Sequence, residues 1–172
     1  LPAPPTPPAP AAPPPSGSQY AFRFTGVIGE PDATEVQLAE VKLYGVGGQE
    51  LTVLQTTNPG GAPLRWWDSA PSATDGDIST KWLDLNFTKP GGVRESTLLL
   101  TLASAIPVAS YDLFPAGSPR GRDPTEWVFG VYRGGQIEAL HSVTGLQSPI
   151  ERYASYKNGL RFIVLHPSPD HP

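Results

Sequence analysis

The sequence predicts an all-β protein whose strands form a β-sandwich. Short segments rich in β-branched and aromatic residues recur along the middle of the chain, and clusters of Gly, Pro, Asn and Asp separate them. The chain has 22 prolines and 18 glycines among its 172 residues, so turns are frequent. Short strands at this spacing are typical of sandwich architectures.

Six segments are predicted strands. In chain order they are QYAFRFTGV (19–27), STLLLTLA (96–103), VASYDLF (108–114), EWVFGVY (126–132), QIEALHSV (136–143) and LRFIVLH (160–166). The segment EVQLAEVKLYG (35–45) is ambiguous, because the three-residue step from Leu38 to Val41 suits a helical turn or a strand with one bulge. Local propensity alone favours a helix there.

The composition divides the chain into a proline-rich linker or stalk (1–18), a folded domain (19–166) and the start of a second linker (167–172). Residues 1–15, LPAPPTPPAPAAPPP, predict a polyproline II segment, since proline fixes φ and removes the amide donor. At about 3.1 Å per residue this segment would extend roughly 45 Å. It is either a linker from an upstream part or a ligand segment or glycosylated stalk.

Charge and composition limit the classes of partner that the protein can bind and the cellular compartment in which we expect it. A net charge of −4 offers no basic surface for nucleic acid, and no apolar run approaches the ~20 residues of a membrane span. A chain that begins LPAPP predicts trimming from a secreted precursor, and Asn86-Phe87-Thr88 is a sequon for N-glycosylation at Asn86. We therefore expect an extracellular or cell-surface protein, without disulfides because cysteine is lacking.

The sequence predicts no enzyme. The three histidines, His141, His166 and His171, are far apart along the chain, and it has no G-x-S-x-G elbow, H-E-x-x-H pair or phosphate-binding glycine loop. Asp75 and Asp77 resemble a paired acid and base, but such pairs need opposed environments that separate their pKa values.

Five motifs between residues 23 and 127 follow one another in a familiar order: RFTGV…VQLAEVKLYG, TNPGG (57–61), TDGDISTKWLD (74–84), VASYDLF (108–114) and GRDPTEW (121–127). Together they resemble the discoidin family, the type C domain of coagulation factors and its bacterial carbohydrate-binding relatives. The resemblance implies an antiparallel jelly-roll sandwich of the galactose-binding-domain-like type, with QLAEVKLYG as a strand bulged near Ala39. The chain departs from the family at YRGGQIEAL, where relatives have a Ser-Asn-Asp-Gly turn and a tryptophan. It also carries LAEVKLYG early instead of at the C-terminus.

The resemblance also implies a structural calcium ion at the loop that contains Asp75-Gly76-Asp77. All of the implied ligands are oxygens, as calcium prefers: the carbonyls of Ala39 and Ser72, the carboxylate of Glu40, oxygens of Asp75 and Asp77, and Thr80. The alternative is a solvated turn, because Asp-Gly is a common turn dipeptide.

Relatives bind ligands with loops at one end of the sandwich. Here NPGGAPLRWWDSAPS (58–72) carries the candidate ligand residues Arg65, Trp66, Trp67 and Asp68, and a second loop carries Arg120 and Arg122. We expect one tryptophan to be buried and one to be available for a sugar ring, since adjacent loop residues tend to point apart. For Arg122 the alternative is a local bridge to Asp123.

Two functions remain open at this point. The first is a non-catalytic, calcium-stabilised carbohydrate-binding or adhesion module that recognises glycans or glycoproteins. The alternative is a structural subunit of an extracellular fibre, wall or surface assembly, in which the polyproline arm and the loops contact copies of the same chain or neighbouring proteins.

Overall fold

The computed structural model describes residues 18–165, which contain ten β-strands and three short 3₁₀ helices but no α-helix. The strands are β1 (Gln19–Val27), β2 (Val36–Leu38), β3 (Glu40–Tyr44), β4 (Val53–Thr57), β5 (Trp82–Asp84), β6 (Ser96–Leu102), β7 (Ser110–Phe114), β8 (Pro124–Arg133), β9 (Gln136–Val143) and β10 (Phe162–Ile163). The 3₁₀ helices span Trp66–Asp68, Ala70–Ala73 and Arg120–Arg122. The predicted polyproline segment and the tail from 167 to 172 lie outside the described residues.

The strands form three sheets. Five strands lie in the order β4-β6-β1-β8-β9, three in the order β10-β7-β3, and β2 pairs with β5. Every pairing among these strands is antiparallel. The all-β prediction is therefore confirmed.

An aromatic core joins the five-stranded and three-stranded sheets. Phe22 of β1 lies 4.5 Å from Phe129 of β8 and 4.9 Å from Tyr111 of β7, measured between ring centroids. On β1, Phe22 and Phe24 are buried on either side of the exposed Arg23, as expected of a strand with one face on a core. Two sheets that pack on a common core are consistent with the predicted β-sandwich.

All six predicted strands contain an observed strand, and the bounds of β1 and β9 agree residue for residue. Strand β4 was not predicted. The helix that local propensity favours in 35–45 does not form, because the segment pairs with two distant strands, β2 with β5 and β3 with β7. Ala39 separates β2 from β3, so the expected bulge is instead a change from one sheet to another.

Several long loops meet at one end of the molecule. Strands β1 and β4 are both antiparallel to β6, so they end on the same side, where β8 begins. The amide of Gly29, after β1, donates to the carbonyl of Gly121, before β8, at 2.8 Å. The segment between β4 and β5 reaches this side through Lys81, whose Nζ donates to the side-chain oxygen of Gln37 at 3.1 Å. The side-chain amide of Gln37 in turn donates to the carbonyl of Gly117. We call this side the loop end.

Candidate ligand and cation sites

Three oxygens of the acidic loop gather around one hydroxyl group. The Oγ1 of Thr80 lies 2.7 Å from Oδ2 of Asp75, 2.8 Å from the carbonyl oxygen of Asp77 and 3.4 Å from the carbonyl oxygen of Ser72. A hydroxyl has one proton, so it cannot donate to all three oxygens at once. The loop therefore brings together more acceptors than its own donors satisfy.

Glu40 adds a carboxylate that contacts the backbone of the same loop. It is buried at the start of β3, and its Oε2 accepts a hydrogen bond from the amide of Gly76 at 3.2 Å. Burial, reinforced by the negative charge of Asp75, raises the pKa of Glu40 to about 8. Within residues 18–165 neither carboxylate forms a salt bridge. A cation bound by Glu40 and Asp75 would offset both the cost of burying the Glu40 charge and the repulsion between the two carboxylates.

The arrangement differs in detail from the predicted ligand set. The carboxylate of Asp77 accepts from the amide and the hydroxyl of Ser79, at 2.9 and 2.6 Å, and these bonds lower the pKa of Asp77. The Asp77 carbonyl, not its carboxylate, lies beside Thr80. Ala39 is buried next to Glu40, and its amide donates to the carbonyl of Phe114.

Most of the oxygen atoms that could bind a cation here are not side-chain carboxylates. In the described part of the chain, no three Asp, Glu, His or Cys side chains are grouped so that they could hold a metal ion by themselves. A cation here would depend on carbonyl and hydroxyl oxygens together with Glu40 and Asp75, a set that suits calcium. Gly76, at φ +79°, provides the left-handed turn that the loop needs.

Trp66 and Trp67 are both exposed, so the prediction that one of them is buried was wrong. They expose 39% and 40% of their surface, and their rings meet edge to face with centroids 5.4 Å apart. The physical reason is the 3₁₀ helix Trp66–Asp68, in which successive side chains project about 120° apart. Both rings therefore remain outside, while Asp68 is the residue that turns inward.

A polar depression of about 380 Å³ lies beside Trp67 at the loop end. Trp67 and Tyr153 are the aromatic residues of its lining, and the other lining residues are polar or glycine. Its lining consists of Trp67, Asp68, Ser79, Thr80, Lys81, Gly117, Ser118 and Tyr153. Trp66, Trp67 and Tyr153 are the only exposed aromatic residues within 18–165. The exposed aromatic surface of the described chain is thus concentrated at the loop end.

Tyr153 was not anticipated from the sequence, and its position depends on contacts far along the chain. Its φ of 64° is unusual for a bulky residue. Its amide donates to the carbonyl of Pro115 at 3.2 Å, and its hydroxyl lies so close to Gly117 that a Cβ added there would be 2.8 Å away. The neighbouring Arg152 forms a 2.6 Å ion pair with the fully buried Asp123.

The two predicted arginine ligands make contacts within the protein. Arg122 pairs with Glu35, so the expected bridge to Asp123 was wrong, since Arg152 occupies that carboxylate. Arg120 donates to the carbonyl of Ser148 at 2.7 Å. Neither side chain lines the depression. Their contacts hold the loop that contributes Gly117 and Ser118.

Lys81 is the cationic residue in the lining of the depression. Its amine donates to Gln37 at 3.1 Å, and burial, together with the positive charge of Arg122, lowers the pKa of Lys81. Arg65 instead lies over the Trp67 ring, 5.4 Å from its centroid, a cation–π arrangement.

At the predicted sequon, the Nδ2 of Asn86 donates to the carbonyl of Gly60 at 2.7 Å.

Comparison of the chain with protein-family models, with curated proteins and with solved structures found no match. Among the residues that the structure describes, there is no helix with the length and apolar character needed to cross a membrane.

Proposed function

We propose that this chain is a non-catalytic carbohydrate-binding or adhesion module of a secreted or cell-surface glycoprotein. Its fold would be the discoidin-like jelly roll that the sequence motifs imply, stabilised by calcium. The observation that carries the proposal is the pair of aromatic side chains, Trp67 and Tyr153, that border one polar depression at the loop end.

A saccharide suits this depression for a simple chemical reason. Sugar rings have apolar C–H faces, which pack on aromatic rings, and hydroxyl groups at their edges, which need hydrogen-bond partners. Trp67 and Tyr153 supply the apolar faces, while Asp68, Lys81 and Ser79 supply an acceptor, a cationic donor and a hydroxyl. The charges of Asp68 and Lys81 are opposite, which favours a neutral or zwitterionic sugar over a highly charged one.

The calcium ion in this proposal has a structural role. Glu40, Asp75 and Thr80, with the carbonyls of Asp77 and Ser72, would hold it between strand β3 and the loop. The ion would neutralise two neighbouring carboxylates and fix the loop in one conformation. Thr80 also lines the depression, so the cation would order one wall of the saccharide site.

A glycan array probed with the wild-type chain and three variants tests the proposal. Trp67→Ala and Tyr153→Ala should each weaken binding at least tenfold, the loss typical of a buried aromatic contact. Trp66→Ala is the matched control, because the residue type and exposure are the same but Trp66 does not line the depression. Absence of binding to every glycan, or equal losses in all three variants, would contradict the proposal.

A further inference from the structure

A second apolar surface at the loop end lies outside the saccharide depression. It consists of Pro63, Leu64 and Trp66, with Leu64 56% and Trp66 39% exposed, and we call it the Trp66 corner. The ring of Trp66 stands at 83° to that of Trp67, so the two indoles form a right-angled step. Arg65, between Leu64 and Trp66 in sequence, is also exposed, but its guanidinium lies over the Trp67 ring, so the corner itself suits an apolar partner with little charge.

Such a step is the kind of surface on which proline-rich segments dock. A polyproline II strand is already extended before it binds, so it loses little conformational entropy, and its rings pack into grooves between aromatic side chains. The chain contains a segment of this chemistry. Residues 1–15 include nine prolines and four alanines and no charged side chain.

The point where residues 1–15 join the fold and the Trp66 corner lie at opposite ends of the sheet. Residues 1–15 join the fold through Ser18 at the start of β1, whereas the loop end lies where β1 finishes. Nine residues of strand separate the two, roughly 30 Å at about 3.3 Å per residue. A contact between the segment of one copy and the corner of another joins copies head to tail.

We infer that the proline-rich segment 1–15 of one copy docks on the Trp66 corner of a second copy. A polyproline II chain of 15 residues is roughly 45 Å long, which is enough to bridge to a neighbour. The interaction is heterologous and links copies into chains or rings. It depends on Trp66, which does not line the saccharide depression, whereas the saccharide site depends on Tyr153, which is no part of the corner, so the two proposals can fail separately.

Sedimentation velocity of the full chain over a range of concentrations tests the self-association. We expect the wild type to form larger species as its concentration rises, and Trp66→Ala to remain monomeric. A second variant with all nine prolines of 1–15 replaced by serine should also remain monomeric. Ile163→Ala, an equally apolar change at a residue 60% exposed on β10, serves as the control and should associate like the wild type.

A synthetic peptide of residues 1–15 identifies the docking surface directly. Added to the proline-to-serine chain, it should shift the tryptophan fluorescence, since Trp66 and Trp67 are exposed while Trp82 and Trp127 are fully buried. Trp66→Ala in the same chain should weaken peptide binding at least tenfold.

Two results would overturn the inference. One is a wild type that stays monomeric together with a peptide that does not bind. The other is a monomeric wild type that rejects the peptide while the serine variant binds it, which would mean that the segment folds back onto its own copy. Loss of glycan binding in Trp67→Ala and Tyr153→Ala, with retention in Trp66→Ala, would support the saccharide site whichever result is found.

Discussion

Replacement of Glu40 by glutamine separates a cation site from an ordinary turn. Glutamine keeps the size of the side chain and an oxygen that can accept the hydrogen bond from the amide of Gly76. It removes the negative charge that burial and Asp75 make unfavourable. The variant should therefore be more stable than the wild type without calcium and less stable with it.

The size and the sign of the effect follow from the pKa of Glu40, about 8 in the folded chain against 4.5 ordinarily. Because the folded-state pKa is raised, the folded chain holds the proton more tightly, and the free energy of unfolding falls as pH rises from about 4.5 to 8. The full difference corresponds to about 5 kcal/mol at alkaline pH. Glu40 lines a depression of about 320 Å³ that is open to solvent, which screens the charge, so we expect about 2 kcal/mol.

Thermal unfolding followed by circular dichroism measures this difference. In chelator at pH 8, Glu40→Gln should melt roughly 6 °C above the wild type, since 1 kcal/mol shifts the midpoint of a chain of this size by about 2–4 °C. At pH 5 in chelator the difference should shrink to about 2 °C, because the folded chain then keeps the Glu40 carboxyl protonated. With saturating calcium at pH 8 the order should reverse, because the ion stabilises only the chain that retains the carboxylate.

The matched control is Glu138→Gln, the same substitution at an exposed position on β9. It should leave the melting temperature unchanged in all three conditions. If calcium and chelator give the wild type identical melting curves, the acidic loop is only a turn. If Glu40→Gln changes stability equally at pH 5 and pH 8, the charge of Glu40 is not the cause.

Three further substitutions test the packing around the sites. Gly130→Ala should destabilise the fold by about 2 kcal/mol or more in urea unfolding, because its Cβ would lie 2.0 Å from a carbonyl oxygen of β9. Arg152→Ala should lower the free energy of unfolding by about 3 kcal/mol at pH 7, since it leaves the buried carboxylate of Asp123 without its counter-ion. Gly117→Ala should displace the hydroxyl of Tyr153 and weaken glycan binding on an array, while the melting temperature changes by less than about 3 °C.

The fold was predictable where local pattern and burial agree. Strand β1 alternates apolar and polar residues over most of its length, so its bounds could be derived from the sequence. The segment 35–45 could not be assigned from local propensity, because pairing with β5 and β7 decides its conformation. Strand β4 has only five residues, and four of them are at least partly exposed, so it lacks a clear apolar pattern.

The candidate sites were predictable only where residues close in sequence form them. Asp75, Asp77 and Thr80 belong to one short motif, and the structure brings their oxygens together. The association of Glu40 with this loop followed from the family resemblance and not from spacing. Tyr153 gave no signal, because it reaches the depression through an unusual φ and through loops that lie more than 25 residues away in sequence.

The loop end has a long segment without strands, and this length needs a physical explanation. The 24 residues between β4 and β5 contain two short 3₁₀ helices and no strand, and loops of this length in compact domains are usually functional. Ordering them is costly in conformational entropy. Three contacts far apart hold the segment: the 2.6 Å bond between Thr56 and Thr74, the Glu40 bond to Gly76 and the Lys81 bond to Gln37.

The hydrogen bond between Glu40 and Gly76 differs from the other two contacts. It fixes the loop through a buried carboxylate whose ionisation opposes folding, whereas the other two pair groups that satisfy each other. A bound cation would neutralise the Glu40 carboxylate at the point where the loop meets strand β3, and it would thereby remove the unfavourable charge. The same ion would then order the wall that Thr80 contributes to the depression. On this argument the acidic loop and the aromatic rings form one functional unit, in which the cation supplies rigidity and the rings supply recognition.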